Sequence, residues 1–187
     1  MTEPKSQAGS TARRGRTQLV GMALIAAATL AGSVLLFQSA RDGGVWGTTN
    51  RGTFVQPPLT LADLAVRDED GLALTEGVTW WLWVVPGGTC DTECEQALHQ
   101  LRQLHILLNR DADRVQRALV TADGVKDQRL AEAYPRMKFL AADQAALSRG
   151  IYIVDPIGNL VLYYPLSDAG KPVLDDLKRL LKVSQIG

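Results

Sequence analysis

The feature that most constrains this chain is an uninterrupted apolar run near its N-terminus. Leu19 to Phe37 is 19 residues long and contains no charge and no proline. At about 1.5 Å of rise per residue, a helix of that length nearly crosses a hydrocarbon layer of roughly 30 Å. No face of it is polar, which argues against a helix half-buried in a soluble domain. A secretory signal carries a shorter apolar core, about 7–15 residues, followed by a small-x-small cleavage site. Here the exit reads Phe37-Gln38-Ser39-Ala40, with Gln38 where a small residue is wanted. Residues 19–38 are therefore expected to be an uncleaved transmembrane anchor. The preceding tail, residues 1–18, holds Lys5, Arg13, Arg14 and Arg16 against one acid, Glu3. Basic residues stay on the cytoplasmic side. The expected arrangement is a single-pass inner-membrane protein with its N-terminus cytoplasmic and its C-terminal domain periplasmic.

The full chain has 187 residues, 46% apolar and 21% charged, enough for one ordinary packed domain. Twenty basic residues balance twenty acidic ones, which excludes a polyanion binder held by bulk charge, and no nucleic-acid motif is present. Residues 39–58 are rich in glycine, threonine and proline and read as a linker, with Val45, Trp46, Phe54 and Val55 as docking points.

From residue 59 to 187 the pattern alternates between strand and helix periods. Val78–Val85 (VTWWLWVV) is a continuous apolar run ending at Pro86-Gly87-Gly88, as in a strand buried on both faces. Cys94, Ala97, Leu98, Leu101, Leu104 and Leu108 follow at helical spacing, and Thr92-Glu93-Cys94-Glu95 has the form of a capping box. Strands are expected at Val115–Thr121 and Met137–Ala141, a short helix around Asp127–Ala133, and another short helix capped by Asp143 and ending near Gly150. Ile151–Val154 and Leu160–Tyr164 flank Asp155-Pro156-Ile157-Gly158-Asn159, a hairpin signature that turn chemistry alone explains. Val173, Leu174, Leu177, Leu180 and Leu181 mark a terminal helix with Lys178, Arg179 and Lys182 on its wet face. Together these give an α/β sandwich with a mixed sheet.

Cys90 and Cys94 are the two cysteines of the chain, four residues apart where a strand hands over to a helix. Helical spacing of four brings Cα atoms to about 6 Å, within disulfide range. In an exported domain such a pair is a reversible dithiol, a two-sulfur metal site or a fixed disulfide, and the last would close too short a loop to stabilise much. A helix N-terminus favours a thiolate. Asp91, Glu93 and Glu95 oppose it, and no Lys or Arg lies between Gly71 and His99. That charge pattern leans toward a soft cation such as Cu(I) over fast thiol exchange. His99 lies about 140° around the helix from Cys94, and His105 roughly 16 Å along it, so both read as surface or boundary residues. Trp80, Trp81 and Trp83 read as core.

A membrane-anchored exported domain with Cys90-x3-Cys94 after a WWLWVV strand, and with Ile151-Tyr152-Ile153-Val154-Asp155-Pro156-x-Gly158, resembles the Sco/SenC proteins. Asn50-Arg51-Gly52-Thr53, Gln56-Pro57-Pro58 and Leu177-Lys178-Arg179-Leu180-Leu181-Lys182 are similar to a group of small bacterial membrane proteins associated with cytochrome c oxidase assembly. The resemblance implies a thioredoxin-like fold and a role in oxidase biogenesis. It makes Cys90 and Cys94 a redox pair or transient Cu(I) ligands, with an oxidase subunit or a copper chaperone as partner. It departs at one point: the family's third copper ligand, a histidine, falls at Leu147 or Ser148 here. Two thiolates alone bind Cu(I) linearly or accept a third ligand from a partner. Two other readings remain open, a thiol-disulfide oxidoreductase of broader purpose and a non-catalytic scaffold with a structural disulfide.

Overall fold

The computed structural model describes residues 8–41 and 49–184, which divide into an N-terminal unit ending at Thr49 and a second compact unit starting at Asn50. Lys5, Val45 and Trp46, singled out from the sequence, lie outside the described residues. The first unit is a helix, α1 (Ala8–Arg41). Its stretch Gln18–Ser39 is long and apolar enough to cross a membrane, and none of that stretch is buried by protein. Thr29 turns its hydroxyl back onto the carbonyl of Ala26 at 2.9 Å, which satisfies that donor within the helix.

The second unit is built on β1 (Thr53–Phe54), β2 (Trp80–Val85), β3 (Val115–Thr121), β4 (Met137–Ala141), β5 (Gly150–Val154) and β6 (Leu160–Tyr164). Its helices are α2 (Thr92–Leu107), α3 (Gln128–Ala133) and α4 (Lys171–Val183). The six strands form one mixed sheet in the order β1-β6-β5-β2-β3-β4. β2, β3 and β4 run parallel, while β5, β6 and β1 are antiparallel to their neighbours. The α/β sandwich read from the sequence is what forms.

Alternation along β2 divides the core in two. Trp80, Leu82 and Val84 join a cluster completed by Ala97, Leu98, Leu101 and Leu104 of α2, Leu130 of α3, and Val173, Leu177 and Leu181 of α4. Trp83 and Val85 face the other side and pack with Leu61, Leu64, Val66, Val120 and Leu140. The helices thus cover one face, and the irregular segment through residues 59–74 covers the other. Trp80 and Trp83 are core as the sequence suggests, whereas Trp81 is half-buried and packs at the edge of the second cluster.

Three local expectations need correction. Val78 is exposed and β2 begins at Trp80. The cap of α2 is Asp91, not Thr92: its side chain accepts from the backbone N–H of Cys94 at 3.0 Å, and Thr92 is already helical. No helix forms after Asp143. Its carboxylate accepts from the N–H of Ala145 at 2.9 Å, closing a tight turn that satisfies the cap without a helix to follow. The hairpin behaves as expected: Asn159 donates its backbone N–H to Asp155 Oδ1 at 2.8 Å and its side-chain amide to Oδ2 at 2.9 Å. Gly158 takes the positive φ that the turn demands, +88°.

The nine residues 50–58 at the end of the expected linker belong to the compact unit. Thr53 and Phe54 pair with Tyr163 and Leu162 of β6, and Val55 packs on the second cluster.

Candidate functional site

The site grows from the C-terminal end of β2. Pro86-Gly87-Gly88-Thr89 carries the chain off the central strand to Cys90, and Asp91 then caps α2 so that Cys94 lies in its first turn. Gly87 is required on two counts. Its φ is +71°, and a Cβ there would press on Cβ of Arg149 at 3.2 Å.

Cys90 and Cys94 form a disulfide with their Cα atoms 5.2 Å apart. The two sulfurs are not equivalent. Cys94 is fully buried in the first core cluster, while Cys90 is half-buried and lines an open cleft of about 690 Å³. Leu119, Val125, Leu130 and Leu147 give the cleft apolar walls, and Thr89, Thr121, Asp123, Asp127 and Gln144 give it polar ones. An incoming sulfur can therefore approach Cys90 from the cleft, with Cys94 shielded beneath it.

The electrostatics differ from the sequence reading. Asp91, Glu93 and Glu95 are not left to themselves. Arg149, 58 residues beyond Asp91, places Nη2 at 2.8 Å from both oxygens of Asp91 and 2.9 Å from Glu93 Oε2. Arg129 reaches Glu95 Oε1 at 2.6 Å. The Cys94 backbone N–H first, and Arg149 second, hold the Asp91 carboxyl below its ordinary range. Glu95 is likewise lowered, chiefly by its hydrogen bond from Arg129. Asp91 and Glu93 push the Arg149 guanidinium further up. Unopposed carboxylates therefore do not surround the pair, because long-range contacts deliver cations that its own segment lacks.

The histidines take no part. His99 pairs with Gln103 on the exposed side of α2, and His105 Nε2 lies 2.8 Å from the carbonyl of Ala112. Among the described residues, no group of three or more His, Cys, Asp and Glu side chains is arranged to hold a metal.

The family described as "Transmembrane-like, thioredoxin-like, C-terminal domain" matches residues 80–184, from the first residue of β2 to just past α4. The chain belongs to that family. No curated protein matches it. Among solved structures, yeast Sco1 with copper bound is 18% identical and superposes with a TM-score of 0.51, covering 74% of this chain and 96% of that one. Apo Sco1 from Thermus thermophilus is 19% identical, with a TM-score of 0.47 over 73% of this chain and 97% of that one. Peroxiredoxin Q of Xanthomonas campestris is 16% identical, with a TM-score of 0.44 over 64% and 92%. The likeness to yeast Sco1 establishes the thioredoxin-like fold that the sequence resemblance implies for this member of the transmembrane-like family.

Whether the residues present suit copper is decided by their donor set. In the disulfide the two sulfurs are bonded to each other and offer no thiolate. Reduced, they offer two; of Leu147 and Ser148, where the Sco/SenC resemblance puts the third ligand, Leu147 is a hydrocarbon side chain on the wall of the same cleft and Ser148 lines a separate one. The carboxylates beside the pair hold a guanidinium, which disfavours a second cation there. These residues do not make a closed copper site.

Proposed function

We propose that this protein is a membrane-anchored thiol–disulfide exchange protein, its α1 helix embedded in the inner membrane and its thioredoxin-like domain in the periplasm. The observation that carries the reading is the asymmetry of the pair, with Cys90 open to a cleft and Cys94 buried directly beneath it. When the reduced protein meets a disulfide client, the Cys90 thiolate attacks one client sulfur. The client S–S bond breaks, a mixed disulfide forms, and the departing client thiolate takes up a proton. Cys94, as thiolate at the helix N-terminus, then attacks Sγ of Cys90 and expels the second client thiolate, which is protonated in turn. Two electrons and two protons reach the client, and the Cys90–Cys94 disulfide is restored, to be reduced again by a dithiol donor.

The client we propose, on the sequence resemblance to Sco/SenC proteins, is a cysteine pair of an oxidase subunit, met during cytochrome c oxidase biogenesis. A second reading, transient Cu(I) carriage by the reduced pair, is favoured by two sulfurs close enough to grip one ion. On that reading the metal is cargo, and its third ligand comes from the partner.

The test uses the full chain in detergent, reduced and mixed with a peptide containing one disulfide. Cys94→Ser should accumulate a mixed disulfide at Cys90, and Cys90→Ser should accumulate none. Absence of a trapped adduct with Cys94→Ser would remove the exchange reading. Anaerobic Cu(I) titration of the same reduced chain separates the alternative: a one-to-one complex lost in either single variant supports copper carriage.

A further inference from the structure

Arg149 precedes β5 and fastens three parts of the cysteine loop at once. Its Nη1 donates to the carbonyl of Pro86 at 3.0 Å, and its Nη2 donates to Asp91 and Glu93. Asp91 Oδ1 is shared with the N–H of Cys94 at 3.0 Å, so the guanidinium lies two hydrogen bonds from the backbone of the buried cysteine. The backbone of Arg149 is itself fixed, its carbonyl accepting from the Tyr163 hydroxyl at 2.8 Å. We propose that Arg149 is a positioning residue that sets the redox balance of Cys90–Cys94, its fixed positive charge favouring the reduced pair over the disulfide. This rests on the exchange reading of the pair.

The physical argument is a difference between two states. The disulfide is uncharged, whereas the reduced pair carries negative charge on whichever sulfur ionises. Five carboxylates face that charge: Asp91, Glu93 and Glu95 around the start of α2, and Asp123 and Asp127 across the cleft. Glu95 is occupied by Arg129. Asp127 caps α3 through the N–H of Leu130, and Asp123 accepts from Thr121 and Val125. Arg149 offsets the two carboxylates on the pair's own loop. Without it, Asp91 and Glu93 act on the sulfurs unopposed and the reduced form loses stability relative to the disulfide. The Arg149 side chain is 37% exposed, so water and salt screen part of the effect.

The full chain in detergent, equilibrated in glutathione buffers at pH 7 and assayed by alkylation of free thiols, reads this balance directly. Arg149→Gln is expected to move the equilibrium toward the disulfide by about three- to tenfold, tenfold being about 30 mV for a two-electron couple. Arg149→Lys restores the charge and should recover most of the shift. Glu93→Gln removes one opposing carboxylate and should move the equilibrium the other way, toward the dithiol. A loss of packing alone predicts neither the recovery nor the opposite sign. If Arg149→Gln folds and leaves the equilibrium unmoved, the proposal falls. If that variant does not fold, Glu93→Gln decides, and an unmoved equilibrium there overturns it equally. A wild-type disulfide inert to glutathione overturns the exchange reading and this one with it, whereas an exchanging wild type with an unmoved Arg149→Gln overturns this one alone.

Discussion

A buried carboxylate inside α4 ties the start of the compact unit to its last helix. Asp176 is 2% exposed, and its Oδ2 accepts from the backbone N–H groups of Arg51 at 2.6 Å and Gly52 at 2.9 Å and from the Tyr164 hydroxyl at 2.8 Å. Gly52 has no room for a side chain, since a Cβ there would enter the Tyr164 ring. Burial, and then the Asp176 carboxylate, hold the Tyr164 phenol well above its ordinary value, so it stays a neutral donor. Replacing Asp176 by Ala leaves three donors without their acceptor. At about 1 kcal/mol for each bond lost, the expected destabilisation is roughly 3 kcal/mol. Asp176→Asn keeps an acceptor oxygen and should cost less. Urea unfolding of the full chain, followed by tryptophan fluorescence, measures both, and equal costs for the two substitutions would refute the acceptor argument.

The polar ends of the elements predict how the fold meets acid. Asp91 at the start of α2 and Asp63 in the turn at Thr60 are both held below the usual carboxylate range, Asp91 chiefly by the Cys94 N–H and Asp63 chiefly by the Thr60 hydroxyl. A carboxylate with a depressed folded pKa contributes stability that is fully present above its unfolded value, about 4, and is lost as pH falls through the lower folded value. The melting temperature of the domain should therefore hold steady above about pH 5 and decline below about pH 4. Asp63→Asn should shallow that decline, and an unchanged slope would contradict the assignment. Elements of this kind were legible in the sequence where one residue's neighbours along the chain decide the outcome. Cys94, Ala97, Leu98, Leu101 and Leu104 share one helix face and are all buried, and β3 and β4 have the bounds their apolar patterns mark. What escaped the sequence depends on partners far along the chain. Thr53 and Phe54 make too short a strand to show a period, and Asp176 reads as one more polar position on α4. Arg149 gives no sign that it will meet Asp91 and Glu93, and that meeting reverses the charge argument at the cysteines.

At the scale of the whole molecule, α1 and the unit from Asn50 onward obey different solvents. Gln18–Ser39 leaves Leu24, Ile25, Leu30, Leu35 and Phe37 uncovered by protein, a surface that water would not tolerate along a whole helix. The unit from Asn50 instead gathers most of its large apolar side chains, Trp83, Leu82, Leu101, Phe139 and Leu177 among them, into two buried clusters and presents Lys178, Arg179 and Lys182 outward. The exchange reading requires the compartment on the domain's side of the membrane to support disulfides. Four basic residues before the span argue for that arrangement through the retention of positive charge in the cytoplasm. The cysteines themselves can report it, because the chain has just two and both lie in the domain. In spheroplasts treated with a mild, membrane-impermeant phosphine reductant, a membrane-impermeant maleimide should label the wild-type chain. Cys90→Ser should lower the labelling more than Cys94→Ser, since Cys90 faces the cleft. Labelling that appears only after the spheroplasts are lysed would put the domain in the cytoplasm, where glutathione and thioredoxin keep such a pair reduced, and the anchored exchange protein proposed here could not be what the chain is.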